Sequence, residues 1–112
     1  MDPRVGRIQA RAVFVALRRP AGRASSGPLR VSWVPGRDEQ PMVAYAVGRR
    51  CGNAVGRNRL RRRLREAVRR AAPGPGAYLV SADPGAAELE FEELVTTVGS
   101  AMNKAATRGT TR

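Results

Sequence analysis

The sequence predicts an α+β sandwich in which a small mixed sheet carries its helices mostly on one face, and three observations lead there. A central run keeps strict helical spacing, with Leu60, Leu64, Ala67, Val68 and Ala71 at i, i+4, i+7, i+8 and i+11. Three shorter runs, at 29–34, 42–48 and 77–82, have strand length and strand-like composition and end at Gly or at Pro-Gly breaks. These strands alternate with helices within 112 residues, a length that suits one domain with a single modest core.

In chain order, residues 1–9 are polar and basic and are expected to be loose. Residues 10–19 place Val13, Phe14, Ala16 and Leu17 at roughly helical spacing before Pro20, which predicts a short helix. Residues 23–28 are small and read as a loop. Residues 29–34 form a strand with Val31 and Trp33 on one face, and 37–41 a polar hairpin loop. In the strand at 42–48, Val43, Tyr45 and Val47 share one face, and the small Ala44, Ala46 and Gly48 share the other, where a ligand can approach closely. Pro73-Gly74-Pro75-Gly76 ends the central helix, and 77–82 is the next strand. A last helix at about 90–106 carries Phe91, Leu94, Val95, Val98 and Met102 as a core stripe, with a frayed tail from Thr107. A further strand before Val31 stays open. With it the order is αβββαβα, and one sheet face is left available for a ligand.

Residues 49–70 hold ten of the 21 basic residues against one acid, Glu66. At roughly 100° per residue, Asn58, Arg62, Arg65 and Arg69 fall opposite the apolar stripe. Arg59, Arg63 and Arg70 line one flank, and Arg57 and Arg61 the other. A solvated face is the plain explanation of such a run, but like charges at i, i+4 each oppose the helix by a few tenths of a kcal/mol. Helices meant only for solvent intersperse Glu. Guanidinium forks also grip phosphate in bidentate fashion and stack on bases, which points to nucleic acid.

The whole composition agrees. A net charge of +12 and a pI near 11.7 predict a polyanionic partner and a steep salt dependence. No apolar run reaches membrane length and no signal-like segment opens the chain, so a cytoplasmic protein with no membrane partner is expected. The single Cys51 excludes an internal disulfide and is expected as a small buried residue at a strand end. Without any His there is no Cys-His zinc cluster and no Ser-His or Cys-His catalytic pair. Asp38 and Glu39 sit in a loop, while Glu88, Glu90, Glu92 and Glu93 crowd a helix start, where carboxylates suit the helix dipole. A metal-dependent nuclease built on those four glutamates is one rival reading. No catalytic or metal-ligating set is expected in the protein itself.

The string at 47–66, VGRRCGNAVGRNRLRRRLRE, closely resembles the signature of the bacterial ribonuclease P protein family, roughly V-S-K-K-x-G-N-A-V-x-R-N-R-x-K-R-x-x-R-E. Gly52-Asn53-Ala54-Val55 and Arg57-Asn58-Arg59 stand as in the family, and the family's lysines appear as arginines. The resemblance extends over nearly the whole chain. It implies a fold like one domain of a small-subunit ribosomal protein. It also implies a ribonucleoprotein endonuclease in which the RNA subunit performs the Mg²⁺-dependent removal of the 5′ leader from precursor tRNA. Mg²⁺ would be held mainly by that RNA and the substrate.

By the matching motif, Arg57, Asn58, Arg59, Arg61, Arg62 and Arg65, together with Arg49, Arg50, Asn53 and Arg69, would bind the RNA subunit, with Asn53 and Val55 shaping the turn into the helix. By position, Phe14, Leu17, Arg18, Trp33 and Tyr45 would line a cleft for the precursor tRNA leader, where aromatics stack single-stranded bases. Core packing is the competing role for Phe14, Trp33 and Tyr45. Arg18 stands where the family usually has a second Phe, and Asp83 where it often has a base. A ribosomal or other structural RNA-binding protein is the remaining alternative, since fold resemblance alone does not separate the two.

Overall fold

The computed structural model describes residues 5–36 and 39–110. The expectations for residues 1–4, for Arg37 and Asp38 in the hairpin loop, and for Thr111 and Arg112 lie outside the described residues. Five strands, β1 (Gly6–Arg7), β2 (Gly22–Ser26), β3 (Leu29–Val34), β4 (Met42–Val47) and β5 (Ala77–Ala82), form one sheet in the order β1-β4-β5-β3-β2. The β1–β4 and β4–β5 pairs are parallel, while β5–β3 and β3–β2 are antiparallel. The helices are α1 (Arg11–Ala16), α2 (Ala54–Ala71) and α3 (Phe91–Thr110). The sheet is therefore mixed, as predicted, and α2 is the crossover between the parallel neighbours β4 and β5.

Local chemistry explains where α2 begins and ends. Asn53 is its N-cap, the side-chain oxygen accepting from the Gly56 amide at 2.9 Å. At the far end Ala72 adopts a left-handed φ of 50°, its amide reaching back to the Val68 and Arg69 carbonyls, and Pro73 blocks continuation. The stripe read from periodicity is the buried one: Leu60, Leu64, Ala67 and Val68.

Each face of the sheet has its own apolar cluster. Leu29, Val31, Trp33, Val43, Val47, Tyr78 and Val80 point toward α2 and α3 and form the main core with Leu94, Val98 and Met102. On the opposite face Ile8, Leu17 and Ala77 are buried, with Val13, Val34, Met42, Ala44 and Leu79 packed beside them. That smaller cluster seats α1 over one end of the sheet. The rest of the face stays open.

Four expectations are corrected. Residues 23–28, read as a loop, hold most of β2, the further strand that the sequence leaves open before Val31; it has no β-branched residue and forms because β3 pairs along it through the Gly27-Pro28 turn and α3 covers it. A side chain at Gly22 would collide with the Ala105 carbonyl of α3, so the glycine permits that close cover. Within residues 1–9, Gly6–Arg7 is a strand and Ile8 is buried, because β4 offers its free edge for parallel pairing. The helix over 10–19 shrinks to six residues. The tail from Thr107 is helical to Thr110, held by the Trp33 ring against Gly109 and by the Arg108 guanidinium donating to the Arg23 carbonyl at 2.8 Å.

Candidate nucleic-acid interface

The cations of α2 divide by what they touch. On one flank, Arg63 donates to the Ala87 and Leu89 carbonyls, and Arg70 pairs with Glu92 at 3.2 Å and lies over the Phe91 ring. These two tie α2 to the segment that leads into α3. On the other flank, Arg61 donates to the Val47 carbonyl at the end of β4 and to the Asn58 side-chain oxygen at 2.9 Å. Asn58 thus orients an arginine. Half-buried Arg57 has its Nε buried without a hydrogen-bond partner among the described residues. On the outward face, Arg69 pairs with Glu66 at 2.8 Å, and Arg65 lies 5.9 Å from the Tyr45 ring centroid. Arg49, Arg50, Arg59 and Arg62 are exposed and make no hydrogen bond or ion pair with any described residue.

Arg49 and Arg50 belong to a 3-10 turn, Arg49–Cys51, that leads from β4 toward the α2 N-terminus. Gly52 follows at a φ of 122°, which a side chain disfavours, and turns the chain into the Asn53 cap. Val55, in the first turn of α2, is 65 % exposed, and the Gly52 backbone and the Asn53 cap build the turn. Cys51 is half-buried in the 3-10 turn, past the strand end where it was expected, and its thiol donates to the Ala82 carbonyl at 3.3 Å.

The open face of the sheet lies on the other side. Its rows run Ser25, Arg30, Ser81, Ala46 and Arg23, Ser32, Leu79, Ala44 across β2, β3, β5 and β4. The small residues of β4 predicted to admit a ligand are on this face. Beside α1 a trough of about 1210 Å³ runs past Val13, Arg18, Val34, Met42 and Ala77. Phe14 is 41 % exposed, and the Arg18 carbonyl accepts from the Arg23 guanidinium at 3.4 Å. Arg30 pairs with Asp83 at 3.1 Å, so this acid serves a cross-strand ion pair.

Three of the five residues expected in the leader cleft are not available there. Trp33 is 5 % exposed on the helix-facing side, its indole N–H donating to the Pro75 carbonyl at 3.1 Å. It is a core residue, because its strand parity puts it with Leu29 and Val31. Leu17 is buried and anchors α1 to the sheet. Tyr45 shares the helix-facing side of β4 with Val43 and Val47, on the face opposite α1. Arg18 lines the trough, whereas Phe14 is exposed on α1 and is not among the residues that line it. Arg23 is exposed on the same open face; the segment holding it reads as a loop, though its alternation with buried Gly22 and Ala24 is a usable signal.

Among the described residues, no three carboxylate or thiol groups converge as a metal site, and Glu92 is engaged by Arg70. No helix among them is long and apolar enough to cross a membrane.

The family model for ribonuclease P matches residues 3–106. The chain belongs to the ribonuclease P protein family. Among curated relatives, the ribonuclease P protein component of Roseiflexus castenholzii is 32 % identical over 106 residues, covering 91 % of this chain and 87 % of the relative. That of Thermobifida fusca is 34 % identical over 119 residues, with 96 % and 80 % covered. In fold, the ribonuclease P protein from Thermotoga maritima superposes with a TM-score of 0.75 at 19 % identity, covering 86 % of this chain and 94 % of that one. The Staphylococcus aureus protein gives 0.70 at 19 % identity, over 87 % and 92 %.

Family membership separates this chain from a ribosomal protein, which fold alone did not. A ribonuclease P protein is a subunit of a ribonucleoprotein endoribonuclease that removes the 5′ leader from precursor tRNA, and its partner is the ribonuclease P RNA. The metal-dependent nuclease reading has no support from the arrangement of the glutamates.

Proposed function

We propose that the chain grips the ribonuclease P RNA with the outward side of α2 and its entry turn, and holds the 5′ leader of precursor tRNA on the open sheet face beside α1. The observation that carries this reading is that the two surfaces lie on opposite faces of one sheet, so one small protein can engage both RNAs together. On the first surface Arg49, Arg50, Arg59 and Arg62 supply unpaired guanidiniums, Arg57, Arg61, Arg65 and Arg69 reinforce the field, and Asn53 and Asn58 hold the turn and Arg61 in place. On the second, Phe14 offers one stacking surface, Arg18 and Arg23 offer charge, and Ala44 and Ala46 leave room for a strand.

Among the described residues no three carboxylate or thiol groups converge, and Asp83 and Glu92 are engaged by arginines. On this reading Mg²⁺ would be held mainly by the RNA subunit and the substrate, and the protein's part is electrostatic and positional. A cytoplasmic location follows from that role. Reconstitution with a bacterial ribonuclease P RNA at low Mg²⁺ tests the reading. The chain should raise 5′ leader removal well above that of the RNA alone, and no increase would reject it.

A further inference from the structure

Where the free edge of the sheet meets α2, a groove of about 390 Å³ is lined by Arg7 of β1, Tyr45 of β4, and Arg61, Arg65 and Arg69 of α2. Four guanidiniums from two elements surround it, and among the described residues no carboxylate lines it. Arg61 is engaged by Asn58 and Val47, and Arg69 by Glu66, but Arg7 and Arg65 make no hydrogen bond or ion pair with any described residue. The Tyr45 hydroxyl also has no hydrogen-bond partner among them. Burial, opposed by Arg65 and Arg69, pushes its pKa up to about 12, so at neutral pH it is a hydrogen-bond donor. Among the described residues, the groove therefore presents unused donors from three elements and no acceptor charge.

We propose that this groove is a clamp for one RNA backbone phosphate, gripped between the Arg7 and Arg65 guanidiniums with the Tyr45 hydroxyl as a third donor. The inference deepens the RNA-binding reading above and rests on it. A phosphodiester has two non-bridging oxygens, which two guanidinium forks can hold while a hydroxyl completes the set. Arg61 and Arg69, fixed by their own partners, add field without having to move. Their mutual repulsion in the free protein is relieved when an anion enters. β1 is a two-residue strand paired only to β4, so a phosphate bridging Arg7 to Arg65 would also tie this edge to α2.

Two measurements test the clamp. Inorganic phosphate titrated into the chain at low salt should shift the Nε–H resonances of Arg7 and Arg65 together and saturably. Tyr45→Phe should weaken that binding several-fold. Unsaturable drift, or a response indifferent to Tyr45→Phe, overturns the clamp, and this outcome is independent of whether the chain supports leader removal.

With ribonuclease P RNA, Arg7→Ala should lower both the affinity and the slope of log K against log salt, the latter by about one unit. Tyr45→Phe should lower affinity and leave the slope unchanged. The double variant should lose less than the product of the single losses, since both groups grip the same phosphate. The same variants in assembled enzyme, compared on precursor and mature tRNA, locate the phosphate. Losses confined to the precursor place it in the leader, and losses in assembly alone place it in the RNA subunit. Multiplicative losses, or none with either RNA, overturn the proposal.

Discussion

Trp33 and Tyr45 show how much one side chain's function depends on which face of a strand it occupies. Both were candidates to stack leader bases, and both point to the helix side of the sheet. For Trp33, truncation to Ala should cost ~3 to 5 kcal/mol of stability through the cavity it leaves beside Gly76 and Gly109. Chemical denaturation of the variant measures this. Its preference for precursor over mature tRNA should survive; loss of that preference without loss of stability would contradict the core assignment. Tyr45 makes a different prediction, because the folded chain holds its phenol neutral up to about pH 12, whereas its ordinary pKa is 10.0. Between those values the unfolded chain releases this proton first, so the stabilisation is complete below pH 10 and is lost as pH rises toward 12. Tyr45→Phe should therefore lose less stability than the parent over that window in melts run at stepped pH. Tyr78, also pushed up by burial, keeps its contribution in both proteins.

At the scale of the element, α2 is one helix with two kinds of arginine. Arg63 and Arg70 fasten α2 to the segment entering α3, and Arg59 and Arg62 face outward unpaired. Arg63→Ala should destabilise the fold by about 1 to 3 kcal/mol, since it strips charged donors from two carbonyls, whereas Arg62→Ala should leave the melting temperature nearly unchanged. The order reverses for RNA. Changing Arg62 and Arg65 together to Ala should lower the salt slope of binding to ribonuclease P RNA by about two units, read from filter binding at several salt concentrations. Asn53→Ala should cost about 1 kcal/mol of stability through the lost N-cap. Asn58→Ala, which frees Arg61, should reduce RNA affinity more than stability. Equal losses of both would make Asn58 a structural residue.

At the scale of the whole molecule, the proposed reading makes the sheet a partition, with the RNA-subunit surface on one side and the leader surface on the other. Phe14→Ala should accordingly weaken precursor tRNA binding by ~1 to 3 kcal/mol, leave mature tRNA unaffected, and add independently to the Arg62 and Arg65 changes. Competition assays on the reconstituted enzyme read all three. The α+β class, the main helices, three of the strands and the outward face of α2 were legible in the residues, because period 3.6, period 2 and Pro-Gly breaks are local properties of the chain. So was the demand for a polyanion, since twenty-one basic residues against nine acids need no coordinates to interpret. Of the edge strands, β1 was not legible and β2 was legible only as an open possibility before Val31. Gly6–Arg7 and the Gly-Arg-Ala-Ser-Ser run have little strand propensity, and they are strands because β4 and β3 offer edges to pair with and α3 covers one of them. Nor could the sequence assign Trp33, Leu17 and Tyr45. Alternation says that two faces exist, but which face meets the helices and which stays open is decided by where α1, α2 and α3 pack, and that is a long-range property of the folded chain.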